Sequence, residues 1–361
     1  RQIPKENYER TLLNALAAGE GPDIFMIHNP WLPKQIGKII PMPSTLFNAA
    51  DLIQLFPTVV EQDFVGSDRR VYALPIYLDT LALFYNRELF DQAAIVRPPA
   101  TWDEFQSLIP RLRSLNAANQ IERAGAAIGG SIATIDNAVD VLTLLMLQNG
   151  TTMVNVDGAQ ATFADATGLA ALNFYVQFGN AGSPYYTWND RQTNHVDSFA
   201  AGKAAMMVDY QDTIAELKDK APFLNFGVAP MLQVTGGGSA INQPNYWGLT
   251  VSKRSESPEE AWGFILHATT DEKTVRNSVV AFGRPPALRS QIEAAVADPN
   301  LSVFAAQALT ARSWYQVDEE EIEEAFSDAI TRVVTGQTPS ERALREVEDF
   351  VSVLMRDAVV E

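Results

Sequence analysis

The chain has no cysteine. That excludes disulfides, thiolate metal sites, cysteine nucleophiles and a lipid carried on cysteine within this stretch. It also has no apolar run near the roughly 18 residues that a spanning helix needs. No charged-then-apolar leader opens at Arg1, so any signal peptide or lipid anchor is expected upstream. Histidine is scarce: His28, His195 and His267 lie far apart, without the HExxH spacing of a zinc site. Phosphate-cradling motifs are missing too, since Gly202-Lys203 runs into alanine and Gly236-Gly-Gly238 has no lysine behind it. Neither Gly129-Gly-Ser131 nor Gly237-Gly-Ser239 completes the G-x-S-x-G of a hydrolase elbow. Positive charge is short as well: 27 Lys and Arg stand against 44 Asp and Glu, a formal charge of −17. Such a surface repels phosphate backbones, so nucleic acid is not an expected partner.

What remains is an ordered globular chain whose 361 residues exceed one ordinary core and suggest two domains. A helix pattern over residues 4–19 has Pro4 at its first position, Tyr8, Leu12 and Leu16 four apart, and Gly19 as its stop. Asp23-Ile-Phe-Met-Ile27 reads as a strand covered on both faces, ending at His28-Asn29-Pro30-Trp31. Binding groups in open α/β sheets gather beyond such strand ends. A loop-rich stretch leads to strand signals at 71–75 and 80–85. The short Ile76-Tyr-Leu-Asp79 link between them, with Pro75, suits a crossing between lobes better than a hairpin. Thr101-Trp-Asp-Glu104 forms a capping box. Further helices are expected at 136–148, 166–179, 318–335 and 339–357, and strands at 204–208, 225–230 and 246–251. This alternation predicts α/β lobes with parallel-type sheets, and the eight even βα units of a barrel are not visible.

Aromatic residues sit at strand ends and in loops: Trp31, Tyr77, Tyr185-Tyr186 with Trp188, Tyr210 and Trp247. Aromatic faces stack on the apolar faces of sugar rings, and neighbouring Asp, Asn and Arg can bond hydroxyls. Core packing is the competing reading for each ring taken singly.

Several segments, in order, resemble one family. Leu12-Leu-Asn-Ala-Leu-Ala-Ala-Gly19 followed by Gly21-Pro-Asp-Ile-Phe25 is similar to a long helix and "GPDI" strand. Pro99-Ala-Thr-Trp-Asp-Glu-Phe105 and Phe199-Ala-Ala-Gly-Lys-Ala-Ala-Met206 are similar to "P-x-T-W-x-E" and "F-x-x-G-x-A-A-M" segments. With Tyr72-Ala-Leu-Pro75 and Trp247-Gly248 they resemble the solute-binding proteins of ATP-driven importers, of the maltose-binding type, lacking here that family's opening strand-helix-strand. The resemblance implies a two-lobed type II periplasmic-binding-protein fold, with crossing strands as hinge and a cleft that closes on ligand. It further implies a non-catalytic, extracytoplasmic, monomeric protein that binds a sugar or polyol, needs no cofactor and docks on a membrane permease. Expected lobes are residues 1–78 with 231–283 and 79–230 with 284–361.

The expected ligand-binding residues are His28, Asn29, Trp31, Tyr77, Asp79, Tyr186, Trp188, Asp209, Tyr210, Trp247 and Arg284. Asp79 and Arg284 are the preferred hydroxyl partners, although Arg284 could equally bond the last carbonyls of a helix. Three other readings stay open on sequence alone: a ferric-ion binder using Tyr185 and Tyr186, a glycoside hydrolase drawing two of the many carboxylates together, and a signalling receptor.

Overall fold

The computed structural model describes residues 5–360, which leaves the expected helix start at Pro4 outside the described residues. Buried apolar side chains gather in two clusters. One runs from Leu12 to Leu78 and resumes from Tyr246 to Ala311. The other runs from Leu81 to Leu232 and resumes from Trp314 to Met355, with Phe304 reaching in from the first stretch. The chain therefore passes between lobes near 78–81, 232–246 and 311–314. Packing moves two sequence boundaries: Met231 and Leu232 belong with the second cluster, and Ala287, Leu288, Ile292, Leu301 and Ala311 with the first. Sequence could not place the 284–311 stretch, because its helices carry an apolar stripe that would suit either lobe.

In the first lobe, Trp247–Ser252 is the central strand. Ile24–His28 pairs with it antiparallel on one side, in a register that sets His28 opposite Trp247. Ile39–Ile40 and Leu74–Pro75 pair with it on the other side. In the second lobe, Ala82–Asn86 runs antiparallel to both neighbours, Met206–Asp209 and Phe226–Ala229. The parallel sheets expected from sequence are thus corrected. Strands enter each sheet from crossings that reverse direction, so alternation with helices did not report a βαβ progression. At the hinge, Asp79–Thr80 and Pro244–Asn245 form a short antiparallel pair, Asp79 opposite Asn245.

The helices Ala138–Gln148, Ala166–Val176, Glu319–Val334 and Ser340–Val360 stand where periodicity puts them. The Thr101 hydroxyl accepts from the Glu104 amide at 3.3 Å, while the Glu104 side chain reaches Ala100 N, one residue before the expected cap. The stretch read as loop-rich holds two seven-residue helices, Ala49–Leu55 and Thr58–Phe64, too short for periodicity to separate from turns.

Two local features shape the region where the lobes meet. Helix Glu272–Phe282 ends on Gly283, whose φ of 64° is the left-handed cap that glycine adopts without a Cβ clash. That turn delivers Arg284 toward the hinge. Strand Ile24–His28, for its part, is paired on one side only among the described residues. On the other side the Tyr8 hydroxyl, from helix Lys5–Ala18, donates to Met26 O at 2.9 Å and accepts from Met26 N at 3.0 Å.

Candidate functional site

Two groups of side chains meet at the crossings. The first lobe contributes rings. Because His28 and Trp247 are cross-strand partners, their rings lie on one face of the sheet, with centroids 5.1 Å apart. Trp31, on the turn just after the strand, meets Trp247 edge-on at 5.0 Å, and Tyr8 meets Trp247 at 5.3 Å. From the second lobe, Glu319 at the start of helix Glu319–Val334 closes over this face. Its Oε2 accepts from Trp31 Nε1 at 2.7 Å and from His28 Nδ1 at 2.9 Å. Beside it, Asp318 pairs with Lys34 at 2.9 Å. His28 Nε2 meets Asn245 Oδ1 at 3.0 Å, which ties the ring face to the hinge pair.

The hinge itself is polar. Asp79 is 1 % exposed; its Oδ1 accepts from Thr80 N, and its Oδ2 from Gln211 N at 3.0 Å and Arg284 Nη1 at 3.4 Å. Arg284 also pairs with Asp212 at 3.0 Å and lies over the Tyr77 ring at 5.1 Å, so two other chain segments converge on one guanidinium. Burial, reinforced by the Asp212 charge, outweighs Arg284 and the two amide donors and pushes the Asp79 carboxyl up to about 8. Burial likewise raises the Tyr77 hydroxyl well out of its ordinary range.

On the second lobe, the Tyr210 hydroxyl donates to Asp140 at 2.7 Å, and Gln243 Nε2 reaches the other oxygen of Asp140 at 3.4 Å. Asp209 accepts from His195 Nε2 at 2.9 Å, Asn137 Nδ2 at 3.2 Å and Tyr210 N at 2.8 Å. Burial of the His195 ring opposes its charge, yet the Asp209 bond and nearby carboxylates outweigh it and raise its pKa. Two buried acceptors here, Gln243 Oε1 and Asn137 Oδ1, take no hydrogen from a described donor. An unmet buried acceptor costs about 1–3 kcal/mol.

Of the residues picked from sequence, the structure gathers His28, Trp31 and Trp247 on the ring face. Tyr77, Asp79 and Arg284 meet at the hinge, with Asp209 and Tyr210 beyond it. The remaining three go elsewhere. Asn29 turns inward, its amide donating at 3.2 Å to Asp63, which also accepts from the Tyr246 hydroxyl at 2.6 Å and from Ser313. Burial pushes Asp63 up to about 6 against these three donors. Trp188 is wholly buried, with Nε1 on Thr134 at 3.0 Å, and has no face to offer a ligand. Tyr186 is buried beside it, its hydroxyl accepting from Asn189 and its carbonyl from Arg113, while Tyr185 packs on the second cluster. Among the described residues no group of three or more histidines and carboxylates could hold a metal ion, and of the tyrosine pair in the ferric-ion reading Tyr186 has its hydroxyl engaged by Asn189 while Tyr185 packs on the core. Sequence reading missed Tyr8, Gln243, Asn245 and Glu319. Tyr8 carried a signal in its aromatic character at the head of an apolar stripe. Glu319 stood in an acidic run that any helix start would show.

A family model described as "Bacterial extracellular solute-binding protein" matches residues 1–275. Among curated relatives, the chain is similar to a maltotriose-binding protein of Pyrococcus abyssi, 23% identical over 79% of this chain and 58% of that protein. Among solved structures it is similar to a cyclic α-maltosyl-1,6-maltose-binding protein of Arthrobacter globiformis, with TM-score 0.80 at 18% identity, covering 99% of this chain and 90% of the other. The sugar-binding protein MalE of Xanthomonas citri aligns with TM-score 0.78 at 22% identity over 99% and 89%. The crossings, the two cores and these matches agree: the chain belongs to the bacterial extracellular solute-binding protein family and has the two-lobed fold of its maltose-binding members.

Proposed function

We propose that the protein is the extracytoplasmic solute-binding component of an ATP-driven importer and holds a sugar or polyol reversibly between its lobes. The observation that carries this reading is the pairing of Trp31, Trp247 and Tyr8 on one lobe with the carboxylates of Asp79, Asp140 and Asp212 across the crossings. Rings supply area for the apolar face of a sugar, and carboxylates take its hydroxyl hydrogens in fixed directions. The lobes divide near 78–81, 232–246 and 311–314 and close as rigid bodies on the guest, so that part of the binding energy drives closure. A membrane permease reads the closed form, and an anchor or signal precedes this stretch. The chain works as a non-catalytic monomer. Relatives named for maltotriose and mannitol supply the first compounds to try. A thermal-shift screen of such sugars and polyols, followed by calorimetry, should find a ligand whose affinity drops in Trp247→Ala. Silence across the whole set would remove the sugar reading.

A further inference from the structure

Asp63, on the short helix Thr58–Phe64, accepts from three chain segments at once. Its Oδ2 takes the Asn29 amide at 3.2 Å and the Tyr246 hydroxyl at 2.6 Å, and its Oδ1 takes the Ser313 hydroxyl. Each donor stands close in sequence to a part of the ring face. Asn29 opens the turn that carries Trp31, Tyr246 directly precedes Trp247, and Ser313 leads through the third crossing to Asp318 and Glu319. The first two donors are also joined to each other. Asn29 N donates to Tyr246 O at 3.0 Å and Tyr246 N to Asn29 Oδ1 at 3.4 Å, which extends the ladder one rung past His28 and Trp247. The Asn29 side chain is therefore held at both ends, its oxygen by Tyr246 and its nitrogen by Asp63. The helix that carries Asp63 is fixed in turn. Phe64 is fully buried, edge-on to the Tyr246 ring at 5.4 Å, and a Cβ on Gly248 would come within 2.5 Å of it, an approach that glycine permits.

A plain core has no need of a charge at this place. Taking a carboxylate out of water is expensive, and well-packed neutral side chains often serve a core as well or better. What a carboxylate adds is direction, since its two oxygens accept several bonds at set angles and donate none. At about pH 7.5 Asp63 is in that form, because burial lifts it only to about 6. We propose that Asp63 is a positioning residue of the ring face. Through Asn29 and Tyr246 it sets how Trp31 stands against Trp247, and through Ser313 it holds the crossing that brings Glu319 over both rings. Pro30 has no N–H to give, so the ladder's hold on the turn ends at Asn29. This rests on the interlobe reading and deepens it, because the angle and spacing of the two indoles decide which apolar face of a solute can lie on them. Asp63 acts on the solute only through those rings.

Two indoles 5.0 Å apart at 71° couple their electronic transitions, so circular dichroism of the full chain reads their arrangement without any ligand. Loss of the exciton couplet in Trp31→Phe assigns it to this pair. At about pH 7.5, Asp63→Asn, which puts a donor where an acceptor stood, should lose most of the couplet while urea unfolding stays cooperative. Tyr246→Phe removes one donor and keeps the buried ring; it should lose part of the couplet, and it carries the test if Asp63→Asn does not fold. Asn48→Ala strips the cap from the preceding helix Ala49–Leu55 and measures what a general loss of stability does; its couplet should match the wild type. Maltotriose and mannitol are the binding probes, and whichever of them the wild type binds should bind about tenfold more weakly to Asp63→Asn in calorimetry. A couplet absent from the wild type, kept by both node variants or lost equally in Asn48→Ala overturns the positioning role, and so does a lost couplet beside unchanged affinity. A silent sugar screen overturns the interlobe reading, a separate failure, because the couplet is read without ligand.

Discussion

The two faces that meet at the crossings are made of different chemistry. On the first lobe, Tyr8, His28, Trp31 and Trp247 pack ring against ring, and polar contact is limited to ring nitrogens and one phenol. On the second lobe and hinge, carboxylates, amides and a guanidinium bind one another through short, directed bonds. Stacking area is indifferent to pH and tolerant of which sugar is stacked. Directed bonds to buried carboxylates depend on both. For the proposed solute, affinity is therefore expected mainly from the first face, and selectivity and pH response from the second.

The largest expected effect tests where core ends and site begins. Trp188→Ala should destabilise the protein by about 3–5 kcal/mol in urea unfolding, since it empties a fully buried ring site. Should Trp188→Phe fold normally but lose ligand, the residue belongs to the site after all and the comparison must be redrawn. Next, Trp247→Ala should weaken sugar binding by on the order of 100-fold in calorimetry, as expected for an aromatic anchor. Loss of less than about threefold would shift affinity to the polar face. Third comes pH. The Asp79 carboxyl titrates at about 8 in the folded protein, against an ordinary value of 3.8, so between these the folded state binds more protons than the unfolded one. Its contribution therefore falls as pH rises through that window, and the loss is complete above it. Asp79→Asn should flatten the decline in Tm over the upper part of the window; an unchanged profile would place the titration elsewhere. The smallest effect belongs to Glu319→Gln, which keeps an acceptor for Trp31 but removes the charge facing His28. With Glu319 partly exposed, the change in stability should stay within about 1 kcal/mol by thermal melting. A larger one would make this contact a main bond between the faces.

Much of this was legible in the chain. The strand ending at His28 and the crossing at Tyr77 and Asp79 announced themselves through apolar runs and proline placement, and the late helices through spacing. Trp188 did not. Its loop setting, beside Tyr185 and Tyr186, looks the same whether the loop faces solvent or folds onto Thr134, because loop burial is decided by distant packing. Asn29 misled for a similar reason. It follows the strand as a binding residue would, yet the partner that claims it, Asp63, lies on a seven-residue helix with no visible periodicity. Glu319 is separated from His28 by 291 residues, and no local pattern carries that contact.

The phenol of Tyr8 has a consequence beyond ligand. A backbone amide and carbonyl turned away from the sheet's own ladder still need hydrogen-bond partners. Here a single hydroxyl takes both the amide and the carbonyl of Met26, standing in for one rung of a neighbouring strand. The same ring edges onto Trp247. The position of this strand and the shape of the ring face are thus bound up in one side chain, so that a change at Tyr8 moves both together.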